Sequence, residues 1–201
     1  MRILLTSLLF LFVGCASYPI KNGFTSTQTS VQAITNPYFS DSAKDYVYKA
    51  QIKAFDKNLG GILAIKKLGE AHHRLVFTTE MGNTIFDFTF KGDEFKVNKI
   101  LKELDRKILI NILKRDFWAM ILENPEIDEI FKKEAKTLKK GSILNKKHYY
   151  LSENRQLSKI IRAGNGKEKV VFSFLEINDD IAASIEIRHQ NIKLKITLKA
   201  I

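Results

Sequence analysis

Apolar and polar positions first fall into step near Asp45. Tyr46, Tyr48, Ala50, Ile52 and Ala54 alternate with Lys49, Gln51 and Lys53, the period of two that puts neighbouring side chains on opposite faces of a strand. Leu59-Gly60-Gly61-Ile62 reads as a turn into a second strand that runs through Ile65. Further strands are expected over residues 74–79 and 84–90, separated by the turn Glu80-Met81-Gly82-Asn83, with a short one over 94–97. The period then changes. Ile100, Leu101, Leu104, Ile108, Ile112, Leu113, Phe117, Met120 and Ile121 recur every three or four residues. That stripe predicts a long amphipathic helix, with Asn98 as its N-cap and Pro125 as its stop. A shorter second helix is expected over 126–138, ended by Gly141.

Alternation returns for the remainder. Strands are expected over 148–152, 157–163, 169–176, 181–189 and 192–199, joined at Asn165-Gly166, Asn178-Asp179-Asp180 and Gln190-Asn191. In the last two, Ile181, Ala183, Ile185, Ile187, Ile192, Leu194, Ile196 and Leu198 face one way, while Lys193, Lys195, Lys199, Glu186 and Arg188 face the other. The expected fold is α+β, mainly β: one curved antiparallel sheet of about nine or ten strands, apolar on its concave face, wet on its convex face, and covered by one or two inserted helices. A sheet curled around a helix in this way encloses an apolar cavity.

The N-terminus has a different character. Arg2 precedes a run, residues 3–13, that is apolar except for Thr6 and Ser7; at about 11 residues it suits a signal-peptide core better than a membrane span. It ends in Phe12-Val13-Gly14-Cys15-Ala16, and Cys15 is the only cysteine of the chain. This resembles the bacterial lipobox, with Phe12 where leucine is usual. The resemblance implies cleavage before Cys15, acylation of that residue and, with Ala16 rather than Asp following, sorting to the periplasmic face of the outer membrane. Residues 16–42, rich in Ser, Thr, Asn and Gln, read as a flexible tether of roughly 30 Å. The expected organisation is a leader over 1–14, a lipidated cysteine and tether over 15–42, and a folded domain over 43–201. One cysteine excludes an intramolecular disulfide and a cysteine zinc cluster.

The order of elements, with the stretch from Arg74 to Phe88 around Glu80-Met81-Gly82-Asn83-Thr84, resembles the LolA/LolB superfamily of open half-barrels plugged by helices. LolB-like members carry a turn of the form Pro-Leu-Gly-x-Thr between two strands; here Glu80 and Met81 replace the first two residues, while Gly82 and Thr84 match. The resemblance implies a lipoprotein that holds acyl chains non-covalently and receives lipoproteins from a LolA-like carrier, with Met81 and Gly82 as the membrane-insertion loop. It also implies an acyl cavity lined by Phe86, Phe88, Ile108, Ile112, Phe117, Ile185, Leu194 and Ile196. The competing expectations are a filled core, and a scaffold of the same fold that binds another envelope protein without lipid transfer. Binding of a different amphiphile, such as a glycolipid, is a third.

The remaining chemistry narrows the field. Lys and Arg total 33 against 22 Asp and Glu, a net charge of +11 that favours anionic partners. Residues 132–147 concentrate seven lysines against Glu134, read either as a solvated surface or as a contact for headgroups or an acidic carrier. No nucleic-acid-binding pattern accompanies that charge, and nucleic acid is not expected as a partner. His72 and His73 would point to opposite faces of a strand, and His148 and His189 stand alone, so no metal site is expected. Asp87, Asp105 and Asp116 form no obvious carboxylate pair, and Gly164-Asn165-Gly166-Lys167 is a hairpin turn rather than a phosphate loop. No catalytic residues, enzyme activity or cofactor are expected.

Overall fold

The computed structural model describes residues 16–27 and 34–201. Residues 1–15, where the leader and the acylated Cys15 are expected, and residues 28–33 lie outside the described residues.

Among the described residues thirteen strands form one antiparallel sheet. After a helical turn α1 (Tyr18–Lys21) come β1 (Thr25–Thr27), β2 (Asp45–Ala54), β3 (Lys57–Gly69), β4 (His72–Thr78), β5 (Thr84–Lys91) and β6 (Glu94–Ile100). Helix α2 (Lys107–Ile121) follows. The chain then continues through β7 (Ile127–Lys133), β8 (Lys136–Ile143), β9 (Lys146–Glu153), β10 (Gln156–Gly164), β11 (Lys167–Asn178), β12 (Ile181–His189) and β13 (Leu194–Ala200). The spatial order is β1, β7 to β13 in sequence, then β2 to β6. Two meanders therefore meet at a seam where β13 pairs with β2, Leu194 opposite Ala54 and Leu198 opposite Ala50. Edges remain at β1 and β6, so the sheet is a half-barrel and not a closed one.

The expected alternation is met in β2, where Tyr46, Tyr48, Ala50, Ile52 and Ala54 are buried and their neighbours face outward. The count of strands exceeds the nine or ten expected. Residues 126–138 are not helical but supply β7 and the start of β8. Ile127, Ile130 and Phe131 mimic helical spacing because both faces of β7 are covered. Ile130 enters the main core while Phe131 enters a second one, and a bulge lies between Ile127 and Glu129. Gly60, Gly61 and Gly141 lie inside strands rather than at turns. The turn before β3 is Phe55-Asp56, and Gly61 is needed because a Cβ there would come 1.9 Å from the Thr78 carbonyl oxygen.

Helix α2 begins at Lys107, later than the stripe implied. Asn98 lies in β6, where its amide donates to Asp87 and Thr89 instead of capping a helix, and residues 102–104 form one 3₁₀ turn. Buried Leu109, Ile112, Leu113, Phe117, Met120 and Ile121 do form the expected stripe and lie on the concave face.

The largest departure concerns residues 16–42. The described parts are packed against the sheet and do not form a tether. Tyr38 and Phe39 are fully buried, the Tyr38 hydroxyl donates to the Leu157 carbonyl, and the Asn36 amide donates to the Met120 carbonyl at 2.7 Å. Tyr18 and Phe24 join Phe131, Leu138, Tyr149, Leu151 and Ile161 in a second apolar cluster. Tyr149 and Ile161 face away from Tyr150 and Ile160, which belong to the main core, so this cluster lies on the convex face. The convex side is therefore dry under Tyr18 of α1 and Phe24, where a wet surface was expected.

Candidate functional site

The concave face and the helix across it form the site. Rows from both meanders converge on α2: Phe86, Phe88 and Phe90 from β5, and Phe172, Ile185, Ile187, Ile196 and Leu198 from β11 to β13. The Phe86 and Phe117 ring centres are 5.6 Å apart, and so are those of Phe90 and Trp118. Seven of the eight expected lining residues, Phe86, Phe88, Ile112, Phe117, Ile185, Leu194 and Ile196, are buried between helix and sheet. The eighth, Ile108, is 73% exposed. It sits one residue before Leu109 turns inward, outside the stripe at the first turn of α2, and borders the mouth instead of the interior.

The interior is filled by aromatic side chains. Among the described residues, a small hollow lies beside the middle of the helix at Asp116, His148 and Arg162, and much larger ones reach the interior at both ends of α2. One, of about 190 Å³, lies between the β2–β3 turn and the start of the helix, lined by Ala54, Phe55, Arg106, Ile108 and Leu109. The other, of about 210 Å³, lies at the far end beside His73, Trp118 and Ile121. Pockets that enclose a drug-sized ligand span about 300–1,000 Å³, so each is an entrance and neither is a finished binding chamber.

A polar row crosses this apolar face. His148, Arg162 and His189 share the concave side of β9, β10 and β12 in register through Val170. Asp116 descends from α2 to within 2.7 Å of His189 Nε2, both groups buried. His189 Nδ1, Arg162 Nε and the Tyr150 hydroxyl have no protein partner among the described residues. Burial holds the His148 imidazole down to about 4, partly offset by its contact with the Lys146 carbonyl, so it is neutral at pH 7. Burial likewise lowers Arg162.

The helix is fastened unevenly. At its C-terminal end Lys67 Nζ bridges Glu123 at 2.8 Å and the Ser40 carbonyl at 2.9 Å, while Asn36 holds the Met120 carbonyl. His73 Nε2 lies 3.1 Å from the Phe39 carbonyl oxygen, and burial lowers its pKa. At the N-terminal end Arg106 occupies the cap position without a side-chain bond, and no acidic residue stands in the first turn. That loosely held end is the one beside Ile108 and the mouth.

Met81 is displayed on the β4–β5 hairpin, 91% exposed. The tip holds its shape through Gly82 N–H to the Thr79 carbonyl, Thr79 N–H to the Asn83 carbonyl, and Asn83 N–H to the Thr79 hydroxyl. Gly82 supplies the positive φ, +85°, that the turn requires. Glu80 is occupied by Lys49 at 3.2 Å.

The other candidates have local roles. His72 and His73 diverge, and among the described residues no group of histidine, cysteine and carboxylate side chains is placed to hold a metal ion. Asp87 accepts two bonds from Arg74 at 3.0 and 2.6 Å, and this guanidinium holds its carboxyl below the usual range. Lysines of residues 132–147 lie on strands, where Lys136 pairs with Glu153, Lys140 with Glu129, and Lys133 reaches the Asn22 carbonyl. The Asp116–His189 contact and the aromatic residues of 34–39 were not singled out in the sequence; no periodicity marks either.

Comparison with solved structures decides the fold. A LolA superfamily protein from Nitrosomonas europaea superposes over 83% of this chain and 88% of its own, with a TM-score of 0.51 at 8% identity. The chain has the LolA fold. A putative outer membrane lipoprotein-sorting protein domain from Vibrio parahaemolyticus matches over 81% of this chain and 85% of its own at 6% identity, with a TM-score of 0.44. No protein-family model matches the sequence, and no curated protein matches it.

Proposed function

We propose that this chain is a lipid-anchored envelope protein that takes up acyl chains non-covalently between α2 and the concave sheet, and helps receive or insert lipoproteins. The observation that carries this reading is the apolar concave face roofed by one helix, fastened at one end and open beside a mouth at the other. The resemblance in the hairpin supports the finer, LolB-like role: Met81 would enter the acceptor bilayer while Cys15 carries the anchor at the periplasmic face of the outer membrane. The role is one of binding, with no catalytic step.

The closed interior fits a site in which the ligand displaces the helix. Six large apolar side chains of α2 are buried, besides Ala119, worth about 9–18 kcal/mol at about 1.5–3 kcal/mol each. That is comparable with the whole stability of a domain, about 5–15 kcal/mol, so an empty open cleft is not populated. A sixteen-carbon chain brings about 12 kcal/mol of its own at about 0.8 kcal/mol per buried CH₂. The two exchange at nearly constant buried area.

Native mass spectrometry of the chain from Ala16 onward, titrated with palmitate and with a lipidated peptide, tests this. A saturable one-to-one complex is expected. A folded sample that gives no adduct refutes acyl binding and leaves the scaffold reading.

A further inference from the structure

The mouth end of the half-barrel carries a set of exposed apolar side chains, of which the lipid-uptake reading uses only Met81. Strand pairing places the turns at Phe55-Asp56, residues 79–83, 101–106, 144–145, 165–166 and 190–193 on one rim, and those at Glu70-Ala71, Gly92-Asp93, Glu134-Ala135, Asn154-Arg155 and Asp179-Asp180 on the other. Phe55 is 52% exposed on the first rim, beside Ile108, and Met81 projects from the same rim.

Phe55 is unusual in a second respect. Its φ is +57°, a conformation that a bulky side chain adopts only when its surroundings dictate it. The Phe55 N–H is pinned to the Lys193 carbonyl at 2.7 Å. An aromatic ring is thus held outward on a rigid turn where glycine or asparagine would be easier.

Charge divides between the rims. Lys102, Arg106, Lys107 and Lys193 are exposed on the mouth rim, and Lys57 is half-buried there, together with Asp56, Glu103, Asp105 and Glu80, the last of these paired with Lys49. On the opposite rim the turns present Glu70, Asp93, Glu134, Asp179 and Asp180 against Arg155. The described N-terminal residue belongs to the first rim as well: Ala16 lies against Asn165 and Gly166, with its carbonyl oxygen 2.9 Å from where a Gly166 Cβ would stand. Cys15 is the next residue in sequence.

We propose that this rim rests on an anionic phospholipid surface, with Phe55, Met81 and Ile108 at the level of the headgroups and the cations above the phosphates. The inference rests on the reading that Cys15 is acylated. It adds an orientation: the segment after Cys15 is folded onto the sheet, so the anchor holds the rim down and does not let the domain stand away. The mouth beside α2 then opens directly at the bilayer.

The test uses the acylated chain expressed in full, with single cysteines introduced by Phe55→Cys, Ile108→Cys, Asp93→Cys and Asp179→Cys at exposed sites. Each carries an environment-sensitive fluorophore and is bound to vesicles of phosphatidylcholine containing about one-third phosphatidylglycerol, with or without brominated lipids. Quenching of at least twofold at positions 55 and 108, with none at 93 and 179, supports the docking. A vesicle-bound chain whose labels at 55 and 108 are unquenched, or quenched no more than those at 93 and 179, overturns the docking and leaves the anchor intact. A chain that carries no acyl group, or does not bind the vesicles, overturns the anchor and the docking together.

Discussion

Replacing Phe117 by alanine separates a displaced-helix site from an inert core. Phe117 is fully buried beneath α2 and packs against Phe86. Its removal destabilises the apo domain by about 3–5 kcal/mol, the usual cost of truncating a buried phenylalanine. If bound acyl chains lift α2, the bound state has already given up that contact and the substitution leaves it nearly untouched. The missing stability then returns as affinity: about 3 kcal/mol corresponds to a Kd roughly a hundredfold lower. Ile112→Val, at about 0.5–1.5 kcal/mol, keeps the sign with less risk to the fold. Urea unfolding gives the stability change. Trp118, the only tryptophan, packs on Phe90 in the helix and reports displacement by its emission. Acyl affinity that stays constant or weakens while stability falls, or binding without a change in Trp118 emission, refutes the exchange of helix for ligand.

Met81→Glu is expected to leave stability within about 0.5 kcal/mol, since the side chain touches little, while abolishing lipoprotein delivery to acceptor vesicles; undiminished delivery would remove Met81 from the membrane contact. Phe24→Ala opens the convex cluster, with an expected loss of about 3 kcal/mol in urea unfolding and self-association in sedimentation; a monomer of unchanged stability contradicts the packing of the N-terminal segment. His148 is depressed to about 4 against an ordinary 6.5, so protons bind the unfolded chain first. Its contribution is complete above pH 6.5 and falls by about 3 kcal/mol as pH drops to 4, and a His148→Gln variant whose unfolding free energy keeps the same slope over that window argues against it. Gly61→Ala forces a Cβ into the Thr78 carbonyl and is expected to shift the β3–β4 ladder, seen as lost amide protection at 62–78 in hydrogen exchange; wild-type protection would show that the strands can part at no cost.

Strands with one wet face were legible, because β2 and β13 bury alternate residues and turn the rest outward; in β12 the alternation holds over 185–189 but slips before it, so that Ala182 and not the expected Ala183 enters the core. The α2 stripe was legible for the same reason, with its start blurred because Ile100, Leu101 and Leu104 continue the helical spacing through a strand end and a 3₁₀ turn. Where both faces are buried, the alternation disappears, and β7 read as helix. The N-terminal segment was illegible for another cause. Its apolar residues, Tyr18, Phe24, Ile34, Tyr38 and Phe39, are single anchors in polar chain, each filling a gap made by distant strands. Of the site, the lining residues followed from periodicity, but Ile108 did not, because its position is set by where the helix begins. The filled state of the interior is not encoded locally at all, since it depends on rings brought together from β5, β11 and α2.

The seam between β13 and β2 has a consequence for synthesis. Each meander is assembled from neighbouring hairpins and can pair as it emerges, but β2 has no partner on its second side until Leu194–Ala200 are made. Until then its outer edge is bare, and the row of Leu194, Ile196 and Leu198 is missing from beneath α2. Sheets closed by such distant pairing fold slowly. A chain built this way can form its hairpins early, yet it completes its core only with its final strand.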